Sequence, residues 1–199
     1  MFEISTEFQP PKVKDYTLTS NKTFLDIKVI LCYNFLRMRI IGIDPGYATV
    51  GYGVIDYEKS RFSVVSYGAI TTSADDLFAH RLKEIYADLH QLIETYKPQF
   101  MAVERLFFTT NQKTGIDVSQ ARGVILLAAV NNALEIAEYT PLQVKQSVTG
   151  YGKAVKSQIQ EMTKRILNLE SIPKPDDTAD ALAIAICHAH AYNSARRNT

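Results

Sequence analysis

Cysteine is close to absent from this chain: Cys32 and Cys187 are the only two in 199 residues. They are too few for a disulfide framework and lack metal-knuckle spacing, which suits a reducing cytosol and a cytoplasmic location. Long apolar runs are missing too. Ile27 to Leu36 comes nearest, but it is too short to span a bilayer and has neither the basic leader nor the small-residue cleavage site of a signal peptide. Net charge is the third absence: 22 Lys+Arg against 21 Asp+Glu leave +1, so a nucleic-acid partner must be met by a local basic patch and not by the field of the whole molecule. No internal repeat is present. What remains, at 46% hydrophobic and 22% charged, is one ordinary globular domain with a proper core.

Residues 1–37 differ in kind from the rest, with Gln9-Pro10-Pro11-Lys12 and Thr19-Ser20-Asn21-Lys22 and no sustained period before the apolar cluster at Leu31 to Leu36. They are expected to be a poorly ordered extension, with the domain proper at 38–199. That domain opens on Met38-Arg39-Ile40-Ile41-Gly42-Ile43-Asp44-Pro45-Gly46, an apolar strand ended by a turn and carrying one acid at its carboxyl end. Asp is a good turn residue before Pro-Gly. Carboxyl ends of strands in open α/β sheets are also where ligands and metals sit.

Val50 to Ile55, with Gly51 and Gly53 alternating against larger side chains, and Phe62 to Ile70 complete a three-stranded meander. Ser73 and Asp76 resemble a capping box, and Leu77, Leu82, Ile85, Leu89, Leu92, Ile93 and Tyr96 repeat at helical spacing until Pro98. Phe100 to Val103 is then a buried strand ending in Glu104, parallel to the first strand if the helix is a crossover, with the two acids on neighbouring strand ends about 4.8 Å apart in backbone spacing. Gly123 to Val130 is apolar on every side, the mark of a core helix or a subunit contact. Leu134 to Tyr139 makes a fifth strand. A short helix from Thr140-Pro141 through Lys145, a longer one from Val155 to Leu167 and a last one from Asp176 follow.

The first turn of that last helix holds Asp176, Asp177 and Asp180. The helix dipole accounts for acids there, but Asp180 lies on the side of Ile184, towards the sheet. Asp177 and Asp180 share a face. Aimed at strands that end in Asp44 and Glu104, they repel those acids unless a divalent cation intervenes.

In Gly42-Ile43-Asp44-Pro45-Gly46, Gly51-Tyr52-Gly53, Val103-Glu104-Arg105-Leu106-Phe107, Gln120-Ala121-Arg122-Gly123, Gln143-Val144-Lys145-Gln146, Gly150-Tyr151-Gly152-Lys153-Ala154, Lys156-Ser157-Gln158 and Asp177-Thr178-Ala179-Asp180-Ala181-Leu182-Ala183 the chain resembles the RuvC-type Holliday-junction resolvases. The resemblance covers 38–195. It implies an α/β, ribonuclease-H-like fold, a five-stranded mixed sheet flanked by helices. It also implies a homodimer that nicks two opposing strands of a four-way junction with two Mg2+ or Mn2+ ions per active site, alongside the branch-migration complex RuvA-RuvB. Its catalytic and metal-binding acids map to Asp44, Glu104, Asp177 and Asp180, its DNA-contacting lysines to Lys145 and Lys156, and its junction wedge to Phe107. Arg105 to Arg165 carries eight basic residues against four acids, which adds Lys153 and Arg122 to the candidate DNA contacts. Gly150 to Lys153 reads either as a phosphate nest or as a plain Gly turn.

Competing readings are an actin-like ATPase or sugar kinase, which needs a second domain that 199 residues cannot supply, a catalytically silent junction-binding scaffold, and a less selective RNase-H-like nuclease. His188 and His190 are expected on the helix surface. His80 and His90 have no partner in view and are expected to face solvent.

Overall fold

A computed structural model describes residues 37–106 and 112–197. Strands β1 (Arg37–Asp44), β2 (Thr49–Glu58) and β3 (Arg61–Thr71) form the antiparallel meander. Helix α1 (Phe78–Tyr96) crosses over to β4 (Phe100–Glu104), and α2 (Gln112–Asn131) leads to β5 (Glu135–Tyr139). The last two strands run parallel to β1, and the sheet order is β3-β2-β1-β4-β5. Helices α3 (Pro141–Thr149), α4 (Lys156–Ile166) and α5 (Asp176–Arg197) complete the chain. The strand begins one residue before the expected domain boundary: Arg37 lies opposite Glu58 and, with Arg39, pairs with Asp56.

Alternation along the strands sorts the core into two layers. Ile41, Ile43, Val50, Val54, Met101 and Val103 face α1 and α2, where Ile85, Leu89, Ile93, Ile125 and Ala128 meet them. Ile40, Ile55 and Ala102 face α5, with Leu182, Ala183, Ile184 and Ile186. On that face the glycines decide how close the helix comes. A Cβ at Gly42 would overlap the Ala181 carbonyl oxygen, one at Gly51 the Asp177 carbonyl oxygen, and one at Gly53 would stand 2.6 Å from Leu182. Helix α5 therefore lies directly on the backbones of β1 and β2.

Several local expectations need correction. Ser73 caps no helix: its hydroxyl accepts the Asp75 N–H at 3.2 Å, and α1 starts at Phe78 behind Leu77, which has no side-chain cap. Helix α3 runs four residues past Lys145 to Thr149, opened by a reciprocal Thr140–Gln143 capping box and closed by Gly150 in the left-handed region. The apolar run Gly123 to Val130 of helix α2 splits into two sides. Ala121, Ile125, Ala128 and Ala129 are in the core, while Leu127 and Val130 are more than half exposed. His188 is not a surface residue. It is buried, its Nδ1 lies 2.9 Å from the Tyr139 hydroxyl, and burial lowers its pKa to about 4. His190 is tied to Ser147, and His90 is only half exposed, with Asn132 Nδ2 3.0 Å from its Nδ1. His80 faces solvent as expected.

Candidate active site

Ile43 pairs with Val103 across the parallel β1–β4 ladder, so Asp44 and Glu104 end adjacent strands at the same edge. By the alternation that points Ile40, Gly42 and Ala102 at α5, both acids point at α5 as well. Opposite Asp44 in the β1–β2 ladder is Gly51, and it is Gly51 whose missing Cβ lets the Asp177 backbone touch the sheet. Thr178 fastens the same turn from the other side, its hydroxyl donating to the Gly68 carbonyl at 3.1 Å. Two glycines and a threonine thus bring the first turn of α5 onto the strand ends.

The electrostatics follow from that crowding. Burial first, and then the charges of Glu104, Asp180 and Asp177, push the Asp44 carboxyl up to about 8, with Lys156 opposing. Burial raises Glu104, helped by Asp180 and opposed by Lys145. Asp180 is raised by burial and partly relieved by Lys156, whose Nζ donates to its Oδ2 at 2.9 Å. Asp176 stands apart: it is pulled below the carboxylate range by Lys174 at 2.6 Å and also faces Lys156 at 3.6 Å. Asp177, not Asp176, acts on Asp44.

Asp44, Glu104 and Asp180, each raised by burial and by neighbouring acids, together with the charge of Asp177 beside them, could serve as oxygen donors to a hard divalent cation, which would supply the missing positive charge. Among the described residues no three acid, His or Cys side chains already converge as ligands of one ion, and Asp180 is turned to Lys156. A depression of about 190 Å³ beside the acids is lined by Glu104, Pro141, Lys145, Lys156, Ile159 and Asp180. Lys145 and Lys156 line this depression beside the acids, and Lys153 is exposed on the following loop.

Arg122 does not sit as expected. It is only 16% exposed, its guanidinium pairs with Glu138 on β5, and its Nε donates to the Glu104 carbonyl at 3.3 Å. Its geometry is that of a brace holding the ends of β4 and β5 together. Nothing in the spacing of Gln120 to Gly123 points to this, because the brace needs the α2–β5 return to exist first. Gly150, in the left-handed region at φ 72°, is the C-cap of α3, so the Gly-Tyr-Gly-Lys stretch opens as a helix-ending turn. Phe107 lies outside the described residues.

The family model of crossover junction endodeoxyribonuclease RuvC matches residues 40–188. Crossover junction endodeoxyribonuclease RuvC of Alkaliphilus oremlandii is 59% identical over 156 residues, covering 78% of this chain and 95% of that one. Its counterpart in Caldanaerobacter subterraneus is 54% identical over 160 residues, covering 80% and 97%. Among solved structures, Thermus thermophilus RuvC in complex with Holliday junction substrate superposes with a TM-score of 0.76 at 32% identity, over 79% of this chain and 96% of that one. With the sheet order, the acid cluster and this breadth of identity in agreement, the chain belongs to the RuvC family of crossover junction endodeoxyribonucleases.

Proposed function

We propose that this chain resolves four-way DNA junctions in recombination and repair, acting in the cytoplasm as a homodimer that nicks two opposing strands symmetrically, alongside RuvA-RuvB. The observation that carries the reading is Asp44, buried at a strand end with its carboxyl pushed to about 8 by burial and three further acids. Asp44, Glu104, Asp177 and Asp180 would hold two Mg2+ or Mn2+ ions. When bound, the ions supply Lewis acidity for water activation and charge for the leaving 3′ oxygen. The chain's own residues do the positioning. Asp44 and Glu104 are fixed by the β1–β4 ladder, and Lys145 and Lys156 meet phosphate at the rim. Nicking of a synthetic four-way junction with and without magnesium, beside duplex and flap controls, tests the reading. Equal cutting of duplex would favour a less selective nuclease, and no magnesium-dependent cutting would favour a silent scaffold.

The homodimer has a candidate surface. Ile116, Gly123, Leu127 and Val130 repeat along one exposed side of α2, and a Cβ at Gly123 would meet nothing within 4 Å. Such a stripe fits a second copy of the same helix at close approach. Leu127→Glu is expected to yield a monomer by analytical ultracentrifugation that has lost paired nicking. A dimer unchanged by this substitution would place the interface elsewhere.

The rim lysines make a separate claim. Lys145→Ala or Lys156→Ala is expected to weaken junction binding and flatten its salt dependence by about one phosphate's worth of slope. Unchanged slopes in both would confine these lysines to the acids they face. For the brace, Arg122→Gln is expected to lower nicking by about 10- to 100-fold and raise the magnesium needed for half-maximal rate, while leaving junction affinity in EDTA intact. Loss of affinity in EDTA instead would return Arg122 to the DNA contacts.

A further inference from the structure

The loop from α3 to α4 presents an aromatic ring to solvent on a locked backbone. Thr149 Oγ1 donates to the Lys145 carbonyl at 2.7 Å and receives the Tyr151 N–H at 3.1 Å, and the Ala154 N–H returns to the Tyr151 carbonyl at 3.2 Å. A Cβ at Gly152 would stand 2.6 Å from Leu142 Cδ1, so the loop backbone packs close over the Leu142 side chain. Yet the Tyr151 residue is 58% exposed, beside Leu142 at 54% and Val155 at 58%. Apolar groups held so firmly at a surface lose little freedom when something covers them.

Their surroundings point to what does. Two depressions flank the start of α4. One holds Glu104, Asp180, Lys145 and Lys156; the other, about 390 Å³, runs between Tyr151 and Ser157, Gln158, Glu161, Met162 and Arg165, where Arg165 pairs with Glu161 at 2.9 Å. The start of α4 separates the depression at the acids from the one beside Tyr151. Lys145, Lys153 and Lys156 alternate in sequence with Leu142, Tyr151 and Val155. An aromatic set among cations is the make-up of a single-strand platform, in which phosphates meet the charges and a base meets the ring.

We propose that Tyr151 stacks on an unpaired nucleobase of the DNA strand next to the scissile phosphate, with the groove between the loop and α4 taking that nucleotide. The proposal rests on the reading of the acid cluster as a DNA-cutting site. It gives this chain a specificity-determining contact on the α4 side of the acids.

The test uses the full-length dimer and a four-way junction with 2-aminopurine placed in turn at each position flanking the crossover. Tyr151→Ala is expected to weaken binding in EDTA about tenfold, the scale of one base–aromatic stack, and to abolish the fluorescence change at one flanking position. Tyr151→Phe is expected to keep both, and Tyr151→Leu to keep part of the affinity without the fluorescence change. If Tyr151→Ala matches wild type in affinity and at every fluorescent position, the stack is wrong. A loss shared by Tyr151→Phe also overturns it, because the hydroxyl would then carry the contact. Wild-type nicking in magnesium, run in parallel, separates the outcomes: failure of the nuclease reading shows in the wild type, failure of the stack only in the variants.

Discussion

Asp44→Asn is expected to do two opposite things: to lower junction nicking by a factor on the order of 10³ or more, and to raise the melting temperature of the metal-free protein. The first follows from charge. Asn keeps the shape of Asp44 but removes the anionic oxygen that a hard cation needs, so binding to the junction persists and cutting stops. The second follows from linkage. An ordinary Asp titrates near 3.8, but folding raises this one to about 8. Between those values the folded chain holds a proton that the unfolded chain has released, so the unfolded state binds fewer protons and stability falls as pH rises through the window. Above about 8 the loss levels off. Each unit is worth about 1.4 kcal/mol, so Asn is expected to stabilise the metal-free fold at pH 7–8 by ~1.4 kcal/mol or more. Thermal melts in EDTA from pH 5 to 9 read the effect directly, with the wild-type curve sloping down and the variant's flatter. Magnesium is expected to recover the wild type and not the variant. Near wild-type nicking, or parallel pH slopes, would remove Asp44 from the centre of the site. Glu104→Gln is expected to follow the same pattern. Asp180→Asn is expected to lose nicking with a smaller gain in stability, because it also breaks the pair with Lys156.

Much of this arrangement can be read from the sequence, for a physical reason. Strand ends are marked by apolar runs that stop at an acid, and Asp44 and Glu104 stand at such stops. The α1 repeat likewise ends where Pro98 forces it to. What the sequence does not reveal are features created by tertiary contact. His188 is surface-like by its place near the end of a helix, and buried only because Tyr139 and Phe100 close over it. Gly123 to Val130 of helix α2 is uniformly apolar in sequence, and only packing on β1 and β4 divides it into a core side and an exposed stripe. Arg122 belongs to a basic tract until folding places Glu138 and the Glu104 carbonyl beside it. The glycines are an intermediate case: their alternation in β2 is visible, but that Gly51 admits the Asp177 carbonyl and Gly53 the Leu182 side chain is not.

That last point gives the most direct test of how the site is assembled, through Gly51→Ala. A methyl group at this position would overlap the carbonyl oxygen of Asp177, and it would stand 2.4 Å from the carbonyl carbon and 3.0 Å from Cβ. Backbone of a buried helix cannot swing aside as a side-chain tip can, so α5 must move off β2 and take Asp177 and Asp180 with it. Overpacking of this kind costs about 1–3 kcal/mol, and displacement of a reacting group by about 1 Å costs on the order of 10²-fold in rate. Gly51→Ala is therefore expected to fold, with helix content by circular dichroism close to wild type, a lowered melting temperature, and nicking down by about 100-fold or more. Junction affinity in EDTA is expected to hold, because Lys145 and Lys153 are carried by α3 and the loop after it, not by α5. Gly68→Ala on the neighbouring strand is the control. Its methyl would meet the outer end of the Tyr52 ring, 2.9 Å from the hydroxyl and 3.0 Å from Cε1, a side chain and not backbone, and cutting is expected to stay within a few-fold of wild type. Should Gly51→Ala cut as well as Gly68→Ala, the seat of α5 would have slack to spare, and the acid cluster would be positioned by something other than bare backbone against bare backbone.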